Sequence, residues 1–269
     1  MFPYLHKILK SFIAIFLIYI LICLLLFFRQ ENFIFFPSKL SLDYQFSFPW
    51  KFEEKFIPVD SDVSVHGILF HADAAKGLVF YLHGNAGAVD SWGYAAEPYL
   101  KLNYDVFVLD YRGYGKSGGK IHNEHQFYQD VHKTYENLSS DYEEKNIVVI
   151  GYSIGTAAAA RLAAKNQPKM LILQAPYYSL KDLMSHIYPF IPKFLLNYQF
   201  ETYQFVKEVD CPITIFHGDE DEIIYMGSSL KLKEHLKPTD QLVIIPGQGH
   251  NGMNENPSYV SGIKTLLSR

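Results

Sequence analysis

Ile147-Val148-Val149-Ile150-Gly151-Tyr152-Ser153-Ile154-Gly155-Thr156, running on into the alanine-rich residues 157–164, is the stretch whose reading decides the fold. Four β-branched residues in a row predict a strand buried on both faces. The alanines predict a helix. Between them stands G-x-S-x-G, a turn so sharp that side chains at its two glycine positions would clash. A serine in a strand–turn–helix of this kind is lifted out of the sheet and presented at the helix N-terminus as a nucleophile. The alternative is a serine that merely caps an ordinary helix.

A serine hydroxyl is a weak nucleophile on its own. It needs a base to take its proton and a carboxylate to orient that base. In the architecture that uses this elbow, the chain order is Ser, then Asp or Glu, then His. Ile213-Thr214-Ile215-Phe216 reads as a strand, and His217-Gly218-Asp219-Glu220-Asp221-Glu222 follows it. Carboxylates there lie at the carboxyl end of a strand, where open α/β sheets carry their chemistry. Leu242-Val243-Ile244-Ile245 reads as the last strand and ends in Pro246-Gly247-Gln248-Gly249-His250. Of the 11 histidines, only His250 combines this loop, this strand and this chain order.

The rest of the chain alternates. Residues 51–57 and 64–70 flank Asp60-Ser61-Asp62 and predict a hairpin. Strands are predicted over 78–82, 106–109 and 170–173, and helices over 94–102 and 124–138. This alternation implies a mostly parallel, doubly wound α/β sheet with right-handed crossovers. Residues 175–210 break the rhythm with Pro176, Pro189 and Pro192 and a run of aromatic residues. They predict a short apolar cap, or else a long connection with one helix.

Taken together, His83-Gly84-Asn85-Ala86-Gly87, Asp110-Tyr111-Arg112-Gly113-Tyr114-Gly115-Lys116-Ser117, the Ser153 elbow, His217-Gly218-x-x-Asp221-x-x-Ile224 and Gly247-x-Gly249-His250 resemble the α/β-hydrolase superfamily. Within it, the chain resembles the membrane-anchored serine hydrolases that include depalmitoylase-like domain proteins and many bacterial relatives. Phe35-Phe36-Pro37-Ser38 and the apolar N-terminus belong to the same likeness. The resemblance implies a triad of Ser153, Asp221 and His250, with Asp219 as the rival acid. It implies hydrolysis of a carboxylic ester or thioester through an acyl-enzyme, on a small-molecule or lipid-like acyl substrate. A serine peptidase, or a catalytically silent scaffold for a membrane partner, is the alternative.

Acyl transfer also needs donors for the developing oxyanion, and backbone N–H groups serve because they are fixed beforehand. Ile154, after the nucleophile, supplies one; Asn85, in the loop after the first parallel strand, is expected to supply the other. Arg112 reads as a structural residue, in an ion pair or bonded to loop backbone, with a role in binding an anionic substrate group as the alternative. His122, His125 and Asp130 are too loosely spaced for a metal site. Gly113-x-Gly115-x-x-Gly118 has the letters of a dinucleotide fingerprint but no helix directly after it. No cofactor and no metal are expected.

The eighteen residues Ser11–Phe28 contain one clearly polar side chain, Ser11. At about 1.5 Å per residue they span about 27 Å, close to the roughly 30 Å hydrocarbon core of a bilayer. A cleaved signal would need a shorter run and small residues after it; Leu26-Phe27-Phe28-Arg29-Gln30-Glu31 follows instead. The reading is one transmembrane anchor over residues 1–29, an aromatic connector over 30–50, and a hydrolase domain over 51–269 with its cap at about 175–210. Lys7 and Lys10 before the anchor, against Arg29 and Lys39 after it, place the domain on the exterior or periplasmic side. A net charge of -4 excludes a nucleic-acid partner from expectation. The 20 Tyr and 21 Phe suit a greasy cleft, but composition alone explains them as well. Cys23 in the anchor and Cys211 in the domain predict no disulfide.

Overall fold

A computed structural model describes residues 2–268. The chain starts with a long helix, α1 (Phe2–Arg29), and a short one, α2 (Glu31–Ile34). It continues through β1 (Phe36–Pro37), β2 (Phe52–Pro58), β3 (Ser64–Phe70), β4 (Leu78–Leu82) and β5 (Ala86–Gly87). Helices α3 (Val89–Trp92) and α4 (Glu97–Leu100) lead to β6 (Asp105–Asp110), α5 (Glu124–Ser139), β7 (Ile147–Tyr152), α6 (Gly155–Lys165) and β8 (Met170–Gln174). After α7 (Leu180–Ile187) and α8 (Thr202–Val206) come β9 (Ile213–Gly218), α9 (Gly227–Lys233), β10 (Gln241–Ile245) and α10 (Pro257–Leu267).

Eight strands form one sheet in the order β10-β9-β8-β7-β4-β6-β3-β2. Only β2 against β3 and β3 against β6 are antiparallel. This is the α/β-hydrolase fold with its mostly parallel sheet. The hairpin predicted over 51–70 is β2–β3. The five central strands are buried along their whole length, which is why they read as unbroken apolar runs. Alternate residues feed opposite faces. Phe80 and Leu82 pack with Phe107, Val149 and the alanines of α6; Val79 and Tyr81 pack with Tyr99, Val106 and Tyr259.

The helix predicted over 94–102 is not continuous. The chain forms α3, then a 3₁₀ turn over Gly93–Ala96, then α4. Pro98 stands in the first turn of α4, where its missing N–H costs nothing. Gly93 sits tight against Phe48, and a Cβ there would come within 2.5 Å of that ring. The connector packs on this corner. The connector itself lies on the domain: Phe46, Phe48 and Trp50 join the core face that holds Phe70. Its Phe36–Pro37 pairs in parallel with Ala86–Gly87.

The sheet's order reverses at β4, which has β6 on one side and β7 on the other. Loops leaving β4 and β7 therefore emerge from neighbouring strand ends, with Leu82 opposite Gly151. In open α/β sheets that crevice is where ligands bind.

Candidate active site

Ser153 follows β7 directly and precedes the first turn of α6. Its φ is +51°, in the left-handed region that L-residues seldom enter. The strained position is held from three directions. The Ser153 N–H donates to the Gln174 carbonyl at 3.0 Å. The Ser153 carbonyl accepts from the Thr156 N–H at 3.0 Å and from the Thr156 hydroxyl at 2.6 Å. The flanking glycines are required by contact. A Cβ at Gly155 would fall 2.3 Å from the Leu82 carbonyl oxygen, and one at Gly151 would fall 2.7 Å from the Ala159 Cβ.

His250 comes from the loop after β10. Its Nε2 lies 3.2 Å from Ser153 Oγ, and its Nδ1 lies 2.8 Å from Asp221 Oδ2. Asp221 comes from the loop after β9, and its side chain is wholly shielded from solvent. Three residues named from the sequence, drawn from three strand ends, thus meet in one hydrogen-bonded line. Asp219 is elsewhere: it is exposed, and its Oδ1 accepts from the Gly247 N–H at 2.7 Å.

Burial pushes the Asp221 carboxyl up, but hydrogen bonds from His217 and His250, and the charge of His250, outweigh it. The net result holds the group well below the usual carboxylate range. Its other oxygen, Oδ1, accepts from the Ile223 and Ile224 N–H groups at 2.9 and 2.8 Å. His217 is a partner that sequence reading quoted only as part of a motif. Its Nδ1 faces Ser229 Oγ at 2.6 Å; its Nε2 is 2.8 Å from the Ile224 carbonyl and 3.3 Å from Asp221 Oδ2. A second unforeseen partner is Tyr152, the x before the serine. Its buried hydroxyl donates to the His250 carbonyl. Nothing in a lone tyrosine's sequence context signals a bond to a residue so far along the chain.

The loop after β4 is held in place by its own ring of bonds. The Tyr111 hydroxyl donates to the His83 carbonyl at 2.8 Å, and the Trp92 indole donates to the Ala86 carbonyl at 2.7 Å. The Asn85 carbonyl accepts from the Tyr114 hydroxyl at 2.7 Å and the Phe36 N–H at 3.0 Å. The Asn85 side chain donates to the Ile34 carbonyl at 3.0 Å. Among the described residues, no acceptor takes the backbone N–H of Asn85 or of Ile154. Arg112 is distant from this chemistry. It forms a two-pronged pair with buried Asp130 at 2.5 and 3.0 Å, which also removes Asp130 from any loose cluster with His122 and His125.

A family model described as serine aminopeptidase, S33, matches residues 73–205. Human alpha/beta hydrolase domain-containing protein 17B is 30% identical over 201 residues, which cover 72% of this chain and 67% of that protein. The chain belongs to the α/β-hydrolase superfamily. The hydrolase is also 29% identical over 194 residues to alpha/beta hydrolase domain-containing protein aho-3 of Caenorhabditis elegans, covering 70% of this chain and 57% of that one. It therefore spans less than two thirds of that relative's length. Among solved structures, an esterase of Pyrococcus furiosus superposes on this hydrolase with a TM-score of 0.68 at 20% identity, over 88% of this chain and 97% of the other. That likeness speaks to the fold.

Proposed function

We propose that this hydrolase is a membrane-anchored serine hydrolase that cleaves a carboxylic ester or thioester carrying an apolar acyl group. The observation that carries the reading is the line Ser153 Oγ–His250–Asp221, at 3.2 and 2.8 Å, on a serine held at positive φ. In this reading Ser153 Oγ attacks the acyl carbonyl while His250 Nε2 takes its proton. The Ile154 and Asn85 N–H groups receive the oxyanion. His250 then returns the proton to the departing alcohol or thiol, leaving Ser153 acylated. Water, activated by the same imidazole, releases the acid. Asp221 holds the His250 Nδ1–H throughout and stabilises the imidazolium.

The anchor is α1. Residues His6–Arg29 are apolar enough and long enough to cross a bilayer, and their side chains are almost all exposed. An apolar surface of that extent needs lipid to cover it. The charges around it favour an exterior or periplasmic catalytic domain. The 175–210 segment, with α7 and α8, is read as the cap.

Labelling with a fluorophosphonate probe tests the chemistry. The wild-type protein should be labelled and Ser153→Ala should not, with ester hydrolysis falling about 10⁴-fold or more. Labelling that persists in Ser153→Ala would sink the assignment. The description of the family model favours a second reading, cleavage of a peptide bond. Comparing acyl esters, acyl thioesters and amino-acid anilides on the same preparation separates the two.

A further inference from the structure

Two contacts tie the segment between β8 and β9 to α1, far apart along the helix. The Tyr19 hydroxyl donates to the Phe190 carbonyl at 2.8 Å. At the helix end, the Gln30 side chain accepts the Asn197 N–H at 2.8 Å and donates to the Leu195 carbonyl at 3.4 Å. From Tyr19 to Gln30 a helix rises about 16 Å. Between those contacts the segment turns at Tyr188–Ile191 and forms a 3₁₀ turn over Lys193–Leu195. The bonds at Tyr19 and Gln30 hold residues 190–197 against the C-terminal half of α1, at the level of its apolar side chains.

The exposed side chains of this segment match that level. Tyr188, Phe190 and Phe194 are 60%, 84% and 80% exposed, and Ile15, Phe16 and Ile22, which helical spacing puts on the flanks of the face carrying Tyr19, are 66%, 58% and 45% exposed. Its backbone N–H groups are satisfied in part, with no acceptor for those of Phe190, Lys193 and Phe194 among the described residues. Pro189 and Pro192 carry no N–H. The Tyr188, Ile191, Leu195 and Leu196 N–H groups are paired within the segment or with α7. The Tyr19–Phe190 bond joins a polar group in an apolar helix to a loop carbonyl. In water both would be solvated; in hydrocarbon each alone would cost several kcal/mol. Lys193 sits on a long stem that can carry its charge back to the interface.

We propose that residues 187–195 form a second membrane contact, immersed in the same leaflet as the C-terminal half of α1. Bilayer lipid is the occupant because the aromatic surface is continuous with the exposed face of the helix. The leaflet, rather than the water, is then the side from which an acyl chain reaches the domain. The inference rests on the reading of α1 as a membrane anchor.

Depth-dependent quenching tests it on the full-length protein in phosphatidylcholine vesicles brominated along the acyl chain. Phe190→Trp and Phe194→Trp are compared with Leu17→Trp inside α1 and Phe56→Trp on edge strand β2, each after subtraction of the wild-type signal from Trp50 and Trp92. Quenching at 190 and 194 of at least half that at 17, with none at 56, is the expected result. If 190 and 194 behave like 56 while 17 is quenched, the anchor stands and the immersed segment is refuted. An unquenched Leu17→Trp would remove the anchor reading and this inference with it. Emission at 190 and 194 that follows the protein-to-lipid ratio, without bromine quenching, would mean a second copy covers the surface, and would also overturn the proposal.

Discussion

Asp219 and Asp221 stand two residues apart in one acidic run, yet their surroundings assign them different tasks. Asp219 is exposed and holds the Gly247 N–H, which an amide oxygen can also do. Asp221 is shielded and meets two histidines. Asp221→Asn should therefore lower kcat about 10³–10⁴-fold, since His250 loses both its orientation and the stabilisation of its charged form. Asp219→Asn should change it less than about fivefold; reversed effects would show the loop to be misread. The low pKa of Asp221 also has a thermodynamic sign. Its folded value lies below the unfolded value of about 3.9, so the ionised group stabilises the fold above that pH. The contribution is lost as pH falls from about 4 through the lower folded value. Melting curves between pH 5 and 2 should show a shallower acid dependence for Asp221→Asn than for the wild-type protein. Tyr152→Phe leaves the buried His250 carbonyl without its donor. It should reduce kcat about tenfold and leave the secondary structure intact by circular dichroism; an unchanged kcat would remove Tyr152 from the positioning of His250.

Short elements position the loop proposed to receive the oxyanion. β1 is two residues long, and it pairs with the equally short β5 beside Asn85. With the Phe36 and Ser38 N–H groups and the Ile34 carbonyl, it supplies three bonds to the loop. A chain beginning at Gln30 keeps these bonds; one beginning at Phe52 loses them. On a small soluble ester the first should retain its kcat, and the second should lose about 10²-fold, the scale of a misplaced oxyanion donor. Equal kcat values in two folded proteins would show that the connector does not shape the site. Two-residue strands carry no periodicity, so no pattern in residues 30–50 could announce this pairing. The 3₁₀ turn over Gly93–Ala96 was no more legible, and the ring packed against Gly93, Phe48, lies far away in the chain. The longer elements, β4, β6, β7, β8 and α5, were legible because full burial, or one buried face, writes a continuous pattern.

For the whole molecule, the proposed function predicts that tethering and chemistry are separable. Residues 83–250 hold every proposed catalytic group, and α1 touches the domain through its C-terminal turns and the 187–197 segment. A chain beginning at Gln30 should leave the membrane fraction and still cleave the soluble ester. Its rate on an ester embedded in vesicles should fall about 10²-fold, because the tether supplies local concentration and not new chemistry. Failure of the soluble chain to cleave even the small ester, while folded, would make α1 part of the active architecture.

Composition and order along the chain determined the fold class, the apolar N-terminal helix and the names Ser153 and His250, while the family resemblance pointed to Asp221. All but the last follow from local rules: a strand–glycine–serine–glycine–helix turn has few other solutions, and a chain order is read directly. Sequence alone left Asp219 open beside Asp221, because two carboxylates in one loop differ only in where the loop points them. It did not reveal His217 and Tyr152 as partners of the line, the β1–β5 pairing, or the contact of residues 190–197 with α1. Apart from His217, four residues before Asp221, each of these is a contact between parts distant in sequence, through a few hydrogen bonds that leave no trace in periodicity. Only the assembled tertiary structure, in which the open sheet brings three strand ends together, decides them.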